Sequence, residues 1–220
     1  MSLIIIYLGL SKALSPAGLN VQYVFNEESL KSIVKDKPVS LILIDTHSTG
    51  FAIKTHYHKY RAVYGFKTFQ EIIVKVSSNF KQLHEKHIGT SIFSRNQEGQ
   101  EIFIPLIPGS VYIGDQTFGR WQKRKNESKE WHFYRVYRHL RDFLGWQKFT
   151  PTYADYQQIQ LAMNQKKAYL GKDNQFGTNG SITKESFKTF FKRQRPNEIN
   201  FKSFFKEYFK ENFYKSKVSI

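Results

Sequence analysis

A dense run of cations between residues 120 and 141 holds the side chains whose chemistry is easiest to interpret. It comprises Arg120, Lys123, Arg124, Lys125, Lys129, Arg135, Arg138 and Arg141. Lysine and arginine at this density neutralise phosphates, and the interspersed Trp121 and Trp131 offer planes on which unpaired bases stack. A solvated helix face is the alternative interpretation. It suits the three arginines after residue 134, but it explains GRWQKRK less well because that stretch precedes the predicted helix.

Three glycines, Gly109, Gly114 and Gly119, lead into this run. Glycine permits positive φ and lets backbone N–H groups approach a ligand closely, and a phosphate backbone is often that ligand. Arg95 and Asn96 stand at the end of a predicted strand just upstream. The sequence therefore predicts an RNA-docking unit in which two strands hold a glycine loop and a cationic tail.

His47, His56 and His58 lie near a predicted hairpin, and DTHSTGFA faintly resembles the first motif of zinc D-Ala-D-Ala peptidases. Zinc catalysis needs three ligands and a general base in register. Lys54 occupies the position of the expected aspartate, and no glutamate stands three residues before His132. An active zinc hydrolase is therefore not expected.

Other cofactor motifs are incomplete in the sequence. Residues 175–186 have the spacing of a calcium loop, but Gln175 and Ser186 stand where anionic ligands are needed. The chain has no cysteine, which excludes disulfides and thiolate metal sites. No P-loop or Gly-x-Gly-x-x-Gly is present, so we expect no cofactor.

The composition indicates a folded, strongly basic protein. Of 220 residues, 40% are hydrophobic, and 34 Lys and Arg against 18 Asp and Glu give a net charge of +16. Such a charge favours an anionic partner, although biased base composition is an alternative cause. The apolar run Leu3–Leu10 is too short to span a bilayer and is interpreted as a buried strand, with a signal-peptide remnant as the alternative. No membrane partner is expected.

The first 120 residues show mostly β-like runs. Strands are predicted within 20–25, 40–46 and 51–58, the last two forming a hairpin around Ser48-Thr49-Gly50. A short helix is predicted from Asn26 to Pro38. Thr68 and Glu71 have capping-box spacing, which predicts a helix ending near residue 76. TSIFSRN and EIFIPL predict a second hairpin around residues 97–100.

The residues after Trp121 show helical patterns. EWHFYRVYRHLRDFLGW places its apolar residues on one helical face, and Gly145 can end that helix. Further helices are predicted over TYADYQQIQLAMNQKKAYLG, TKESFKTFFKRQ and NEINFKSFFKEYFKENF. The last carries an aromatic stripe typical of core or of a docking face: Phe201, Phe204, Phe205, Tyr208 and Phe209.

Residues 75–125 also carry a longer pattern of spacings. The stretch KVSSNFKQLHEKHIG supplies Lys75, Ser78, Ile88 and Gly89. TSIFSRN, QEGQ and IFIPL then give a strand, a turn and a strand, with Asn96 before the turn. Together these stretches resemble the ribosomal small-subunit protein 19 family of bacterial and organellar type.

The remainder of that family pattern is similar to residues 105–125. Pro105, Gly114 and Gly119 fall on family positions, Trp121 takes a Phe position and Lys125 takes an Arg position. The resemblance covers 51 of the 220 residues. Four positions depart from the family residues: Asn79, Lys81, Glu85 and Arg120.

The resemblance implies an α+β fold, with a small antiparallel sheet and a helix in the family-like core plus a mostly helical C-terminal extension. Residues 1–60 would form an N-terminal extension with β-like runs. Residues 61–125 would form the rRNA-binding core, and residues 126–220 a helical, aromatic-rich C-terminal extension.

The resemblance also implies a structural constituent of the ribosome that is not an enzyme. Its partners would be small-subunit rRNA, the neighbouring head proteins of the 13 and 14 families, tRNA nearby and, through the Phe-rich C-terminal helices, other ribosomal proteins. The residues expected to contact RNA are Ser78, Asn79, Lys81, Arg95, Asn96, Gly114, Gly119, Arg120, Trp121, Lys123, Arg124 and Lys125.

Long extensions and a lysine-rich composition favour a mitochondrial ribosome. The start lacks a transit-peptide pattern, so an organelle-encoded protein is expected, with bacterial cytoplasm or periplasm as the alternative. Two other functions stay open. One is an exported cell-envelope or peptidoglycan-associated protein with a decayed metallopeptidase-like site, which predicts zinc at His47 with His56 or His58. The other is a free-standing nucleic-acid-binding protein.

Overall fold

A computed structural model describes residues 21–49, 54–65, 68–124 and 127–193 of the chain. Within these residues, six strands form one sheet in the order β1-β4-β3-β2-β5-β6 and two strands form a second sheet. The first sheet comprises β1 (Tyr23–Val24), β2 (Val39–Thr49), β3 (Thr55–Tyr64), β4 (Phe69–Val76), β5 (Ser91–Arg95) and β6 (Glu101–Ile102). The fold is mixed α/β, as the sequence predicted at this coarse level.

The β2–β3 pair forms the centre of the first sheet and confirms the predicted hairpin strands. Pairing runs from Val39 opposite Tyr64 to Thr49 opposite Thr55. β2 also pairs with β5, so both of its edges are hydrogen-bonded. The first six residues of β2 are all buried, which explains why VSLILI is nearly continuously apolar instead of alternating.

The helix predicted from Thr68 to residue 76 is wrong, because Phe69–Val76 form β4 and pair antiparallel with β3. The first α-helix, α1 (Ser78–Leu83), begins after this strand. Thr68 and Glu71 do have capping-box spacing, but Glu71 lies opposite Arg61 in the ladder. The Glu71 carboxylate is 2.9 Å from Arg61 Nη2 and 2.5 Å from Lys59 Nζ. Cross-strand pairing has therefore overridden the local helix signal.

Short elements cover the two edges of the first sheet. β1 lies within the predicted strand 20–25 and pairs parallel with β4. The helix predicted after it is a 3₁₀ helix, Glu28–Ser32, and Asn26 Oδ1 accepts a hydrogen bond from the Ser29 N–H at 2.9 Å. At the other edge, β5 and β6 form the predicted hairpin around Gly99, whose φ of 92° favours glycine.

The second sheet is the hairpin of β7 (Gly119–Lys123) and β8 (Lys129–Phe133). The helix predicted over 130–146 is therefore wrong in its first part, because those residues belong to β8. A 3₁₀ helix follows at Arg135–Tyr137, and within the predicted stretch Leu140–Phe143 alone form an α-helix, α2. Pairing with β7 holds the first predicted helical residues in an extended strand. Gly145, with φ of 68°, ends α2 as predicted.

Helix α3 (Tyr153–Gln165) confirms the second predicted helix. It begins with a capping box: Thr152 Oγ1 accepts from the Asp155 N–H at 3.2 Å, and Asp155 Oδ2 accepts from the Thr152 N–H at 2.9 Å. The third predicted helix is divided at Phe187 into α4 (Ser181–Ser186) and α5 (Lys188–Arg193). The fourth predicted helix and its aromatic stripe lie outside the described residues.

One hydrophobic core joins the first sheet to later elements, with Ile42 of β2, Trp131 of β8 and Ile159 of α3 among its buried members. The described residues up to Phe187 belong to one compact unit, and Lys188–Arg193 belong to a second. Of the predicted domain boundaries, position 60 falls within β3 and position 125 between β7 and β8. Strands that come before position 60 in the sequence are therefore neighbours, in one sheet, of strands that come after it.

Candidate nucleic-acid interface

The β7–β8 hairpin carries the predicted cationic segment. Its strands are antiparallel, with Trp121 opposite Trp131 and Lys123 opposite Lys129. Since side chains alternate along a strand, the two tryptophans and the two lysines share one face. Arg120 belongs to the other face. Lys125, which was also predicted to contact RNA, lies outside the described residues.

Aromatic packing fixes this hairpin to helix α3. The Trp121 ring centroid lies 5.2 Å from that of Trp131, and the rings meet edge to face. On its other side, Trp121 lies 5.2 Å from Tyr153 and 5.8 Å from Tyr156. Such aromatic pairs are worth about 0.5–1.5 kcal/mol beyond their burial. Trp121 therefore anchors the hairpin through its contacts with other parts of the protein.

The two lysines near the tip of the hairpin are both exposed. Lys123 and Lys129 are direct partners across the ladder. Like charges placed directly opposite each other destabilise a strand pair. Lys129 Nζ also lies 5.5 Å from the centroid of the Tyr153 ring, a weak attraction at an exposed site. The lysine pair is thus a concentration of positive charge at the surface with little internal compensation.

Arg124 and Arg120 extend the positive charge beyond the lysine pair. Arg124 Nε donates to Glu130 Oε2 at 2.8 Å, but the Arg124 side chain is 62% exposed. The Glu130 side chain is only 9% exposed, so a buried carboxylate holds one side of this guanidinium while most of the Arg124 side chain stays in contact with water. Arg120 is exposed opposite His132. The hairpin therefore presents guanidinium as well as ammonium groups to solvent.

Packing inside the protein accounts for both glycines that were predicted to lie against RNA. A Cβ on Gly119 would lie 2.4 Å from the His132 carbonyl oxygen. Gly114 has φ of 87°, and a Cβ there would lie 2.7 Å from the Tyr156 ring. The loop before β7 is largely core, with these residues buried: Ile107, Tyr112, Ile113 and Phe118. The loop therefore contributes side chains to the core, while other residues in it are exposed, and contact of its glycines with RNA stays a prediction.

Arg95 and Asn96 are used within the first sheet. The Arg95 guanidinium lies 2.8 Å from the Glu101 carboxylate and donates to three main-chain carbonyls in the segment before β2, at 3.1, 3.2 and 3.4 Å. Asn96 Oδ1 accepts from the Gln100 N–H at 2.8 Å and so closes the β5–β6 turn. The structure thus gives both residues a folding role and places them on a different sheet from the cationic hairpin.

Ser78, Asn79 and Lys81 lie on α1 (Ser78–Leu83), the helix that follows β4. Ser77 Oγ caps this helix by accepting a hydrogen bond from the Phe80 N–H at 3.1 Å. Ser78 and Asn79 are exposed, and Lys81 is half-buried. These three residues form a separate group beside the first sheet and are not part of the hairpin surface.

The register of β2 and β3 separates the histidines of the zinc alternative. His47 lies opposite Tyr57, and their rings stack at 5.0 Å. His56 lies opposite Ser48, whose hydroxyl is 2.7 Å from His56 Nδ1. Alternation places His47 on one face of the sheet and His56 and His58 on the other. Among the residues that the structure describes, no group of three or more His, Asp or Glu is arranged to hold a metal ion.

A buried pair of histidines, His58 and His84, is a feature that the sequence analysis missed. They are 0% and 2% exposed, and their ring centroids lie 6.4 Å apart. Burial, and then nearby positive groups, lowers the pKa of each to about 3. His58 Nδ1 is 2.9 Å from the Tyr60 hydroxyl, and His84 Nδ1 is 3.3 Å from His87 Nδ1. Both imidazoles are therefore neutral at neutral pH.

Comparison with known proteins gives no match of any kind: no family model fits the chain, and neither a curated protein nor a solved structure matches it significantly. In the described part of the chain, no helix has the length and apolar character needed to cross a membrane. What the hairpin surface does must therefore follow from its own residues.

Proposed function

We propose that this chain is a structural RNA-binding protein and that the β7–β8 hairpin contacts the phosphate backbone. The observation that carries the proposal is the exposed pair formed by Lys123 and Lys129, which face each other across the ladder. Two ammonium groups in this position repel each other in the free protein. A phosphate backbone lying over the pair relieves that repulsion and releases its own counterions.

Neighbouring cations make the surface large enough for a polyanion. Arg120 and Arg124 lie on the same hairpin, and Arg135 and Arg138 are exposed in the residues that follow β8. Arginine forms bidentate contacts with phosphate, and the Arg124 side chain is 62% exposed even though its Nε donates to Glu130. The net charge of +16 also speeds the encounter with a polyanion.

The resemblance of residues 75–125 to the ribosomal small-subunit protein 19 family supports the choice of RNA. The hairpin β5–β6 is consistent with the strand, turn and strand of that family pattern. We infer that the RNA is small-subunit rRNA and that the chain is a non-enzymatic constituent of the subunit head beside proteins of the 13 and 14 families. A mitochondrial ribosome is the location that this proposal favours.

The variant Lys123→Gln/Lys129→Gln tests the hairpin contact. Lys166→Gln/Lys167→Gln is its matched control, because it removes the same charge from two exposed residues after α3. The slope of log Kobs against log salt for rRNA binding should become shallower by about 1.4–1.8 in the hairpin variant, or roughly 0.7–0.9 per lost phosphate contact. The control should keep the native slope.

Unfolding measurements separate a binding role from a folding role. Removing two like charges that face each other should leave the hairpin variant as stable as the native protein, or more stable by a few tenths of a kcal/mol. Weaker RNA binding together with unchanged stability supports the proposal. Equal salt slopes in the hairpin variant and the control would show that the lysine pair does not contact RNA.

A further inference from the structure

A cleft of about 760 Å³ lies beside the first turns of α3, within the first compact unit. It is bounded by the first turns of α3, by the loop at residues 148–150, by the segment 169–175 and by the start of α4. Its volume falls within the range of small-molecule sites in proteins. Nothing in the RNA-binding surface uses it.

The floor of the cleft is held rigid by hydrogen bonds. Asp155 is 7% exposed, and its Oδ2 accepts from the Thr152 N–H at 2.9 Å and from the Thr152 hydroxyl at 2.7 Å. Its Oδ1 accepts from the Tyr169 hydroxyl at 2.7 Å. Burial and the Asp155 carboxylate both raise the pKa of Tyr169, so the hydroxyl stays a protonated donor. The carboxylate is therefore fully engaged in fixing α3 against the neighbouring segment.

The charges that line the cleft balance one another, although the protein as a whole is strongly basic. The lining contains two cationic residues, Lys148 and Lys172, and two anionic residues, Asp155 and Asp173. Lys148 Nζ also lies 3.7 Å from a carboxylate oxygen of Glu185. An anionic ligand would gain little net attraction from such a lining. The cleft thus differs in kind from the cationic hairpin, and its chemistry favours a neutral ligand.

Uncharged polar groups and some apolar surface make up the rest of the lining. Gln158 and Gln175 contribute amides, and Thr150 and Ser181 contribute hydroxyls. Amides and hydroxyls each donate and accept, which matches a ligand rich in hydroxyl groups. Phe149 adds a small apolar patch, because it is 9% exposed and belongs to the core, where it makes edge-to-face contacts with two aromatic rings at 5.8 and 5.0 Å. A pyranose ring presents both kinds of surface, hydroxyls at its edge and C–H groups on its face.

We propose that this cleft binds a short neutral oligosaccharide, with the amides of Gln158 and Gln175 recognising its hydroxyls and the exposed part of Phe149 contributing an apolar contact. This site is independent of the proposed RNA contact. The Asp155 carboxylate takes no part in binding the ligand, since it is occupied by hydrogen bonds within the protein.

Calorimetric titration of the full chain with cellotriose and with N,N′,N″-triacetylchitotriose, both neutral, tests the proposal. Saturable binding of either trisaccharide is expected. Gln158→Ala and Gln175→Ala should each weaken that binding about fivefold to tenfold, as loss of one hydrogen bond would. Gln157→Ala is the matched control, an exposed glutamine next in sequence on α3 that does not line the cleft, and it should bind like the native protein.

Three results would overturn the proposal. The first is no heat of binding from either trisaccharide up to about 10 mM, beyond the weakest affinity of a specific site of this kind. The second is binding that Gln158→Ala, Gln175→Ala and Gln157→Ala leave equally unchanged. The third is saturable binding of inorganic phosphate or adenosine monophosphate, weakened by Gln158→Ala, in place of the trisaccharides. Thermal unfolding of each of the three variants checks that the substitution leaves the fold intact.

Discussion

Lowering the pH from 7 to 5 should destabilise this protein, because His58 and His84 are buried as neutral imidazoles. The pKa of each is about 3 in the folded protein, whereas an unperturbed histidine titrates near about 6.5. As the pH falls below that value, the two histidines become protonated in the unfolded chain but stay neutral in the folded chain. Stability is therefore complete above about pH 6.5 and is lost progressively down to about pH 3.

The size of the effect follows from the same values. At pH 5, about 1.5 units below the unfolded pKa, each histidine lowers the free energy of unfolding by roughly 2 kcal/mol. The surroundings of the pair reinforce the neutral state. Lys81 further lowers the pKa of His58, and His87 further lowers that of His84. Glu27 is the nearby carboxylate, with Oε1 3.9 Å from His84 Nε2 and half-exposed.

Urea unfolding at pH 7 and pH 5 measures this effect. His84→Gln removes one titrating group, so the stability difference between the two pH values should shrink by about 2 kcal/mol. His132→Gln is the control, because the His132 side chain is 41% exposed on the hairpin and stays in contact with water in the folded protein. If His84→Gln and the native protein lost equal stability between pH 7 and pH 5, the reasoning from burial would be refuted.

Three further substitutions test the packing around the site. Gly119→Ala should lower the thermal unfolding temperature, with a cost of about 1–3 kcal/mol, because its Cβ would lie 2.4 Å from the His132 carbonyl oxygen; native stability would contradict this. Arg95→Ala should cost about 1–3 kcal/mol in urea unfolding, because three main-chain carbonyls before β2 lose their donor while Glu101 keeps Lys31; the salt slope of RNA binding stays unchanged. A reduced slope would give Arg95 a phosphate contact after all. Tyr112→Phe should cost about 1 kcal/mol in the same assay, since the buried hydroxyl donates to a β3 carbonyl at 2.7 Å; no loss would show that this bond contributes nothing.

Local patterns predicted the elements whose signals are complete within one stretch of chain. The β2 and β3 runs and the β5–β6 hairpin are rich in residues that favour strands, with turn residues between them. Helix α3 carries its own start signal in the capping box of Thr152 and Asp155. Gly145 was correctly predicted to end a helix, because the positive φ of a helix end is readily adopted by glycine.

The errors arose where partners distant in sequence decide the structure. Glu71 completed a capping-box spacing, but its partners are Arg61 and Lys59 on the neighbouring strand. The apolar spacing after Trp131 suited a helix, but β7 pairs with that stretch and the Trp131 N–H donates to a carbonyl beyond α2, that of Pro151, at 2.8 Å. The spacing of three or four residues that predicts a helix contains neither partner, since Arg61 is ten residues from Glu71 and Pro151 lies beyond α2.

For the candidate site, residue types predicted which side chains are exposed, but they did not predict which parts of the protein lie next to the glycines. The cationic residues near Trp121 were predicted to lie at the surface, and Arg120, Lys123 and Arg124 do so. The structure gives Gly119 a reason that the sequence analysis did not consider, because a Cβ there would lie 2.4 Å from the His132 carbonyl oxygen. Its contact with RNA stays a prediction. Residue type alone does not distinguish close approach to a ligand from close approach to another strand.

Sedimentation of a cell or organelle extract through a sucrose gradient tests the central claim most directly. The chain is predicted to run with the small ribosomal subunit and to stay there after a moderate salt wash. The Lys123→Gln/Lys129→Gln variant is predicted to leave the subunit at lower salt than the native chain, while Lys166→Gln/Lys167→Gln does not. Recovery of the native chain at the top of the gradient, away from the subunit even at low salt, would contradict the claim.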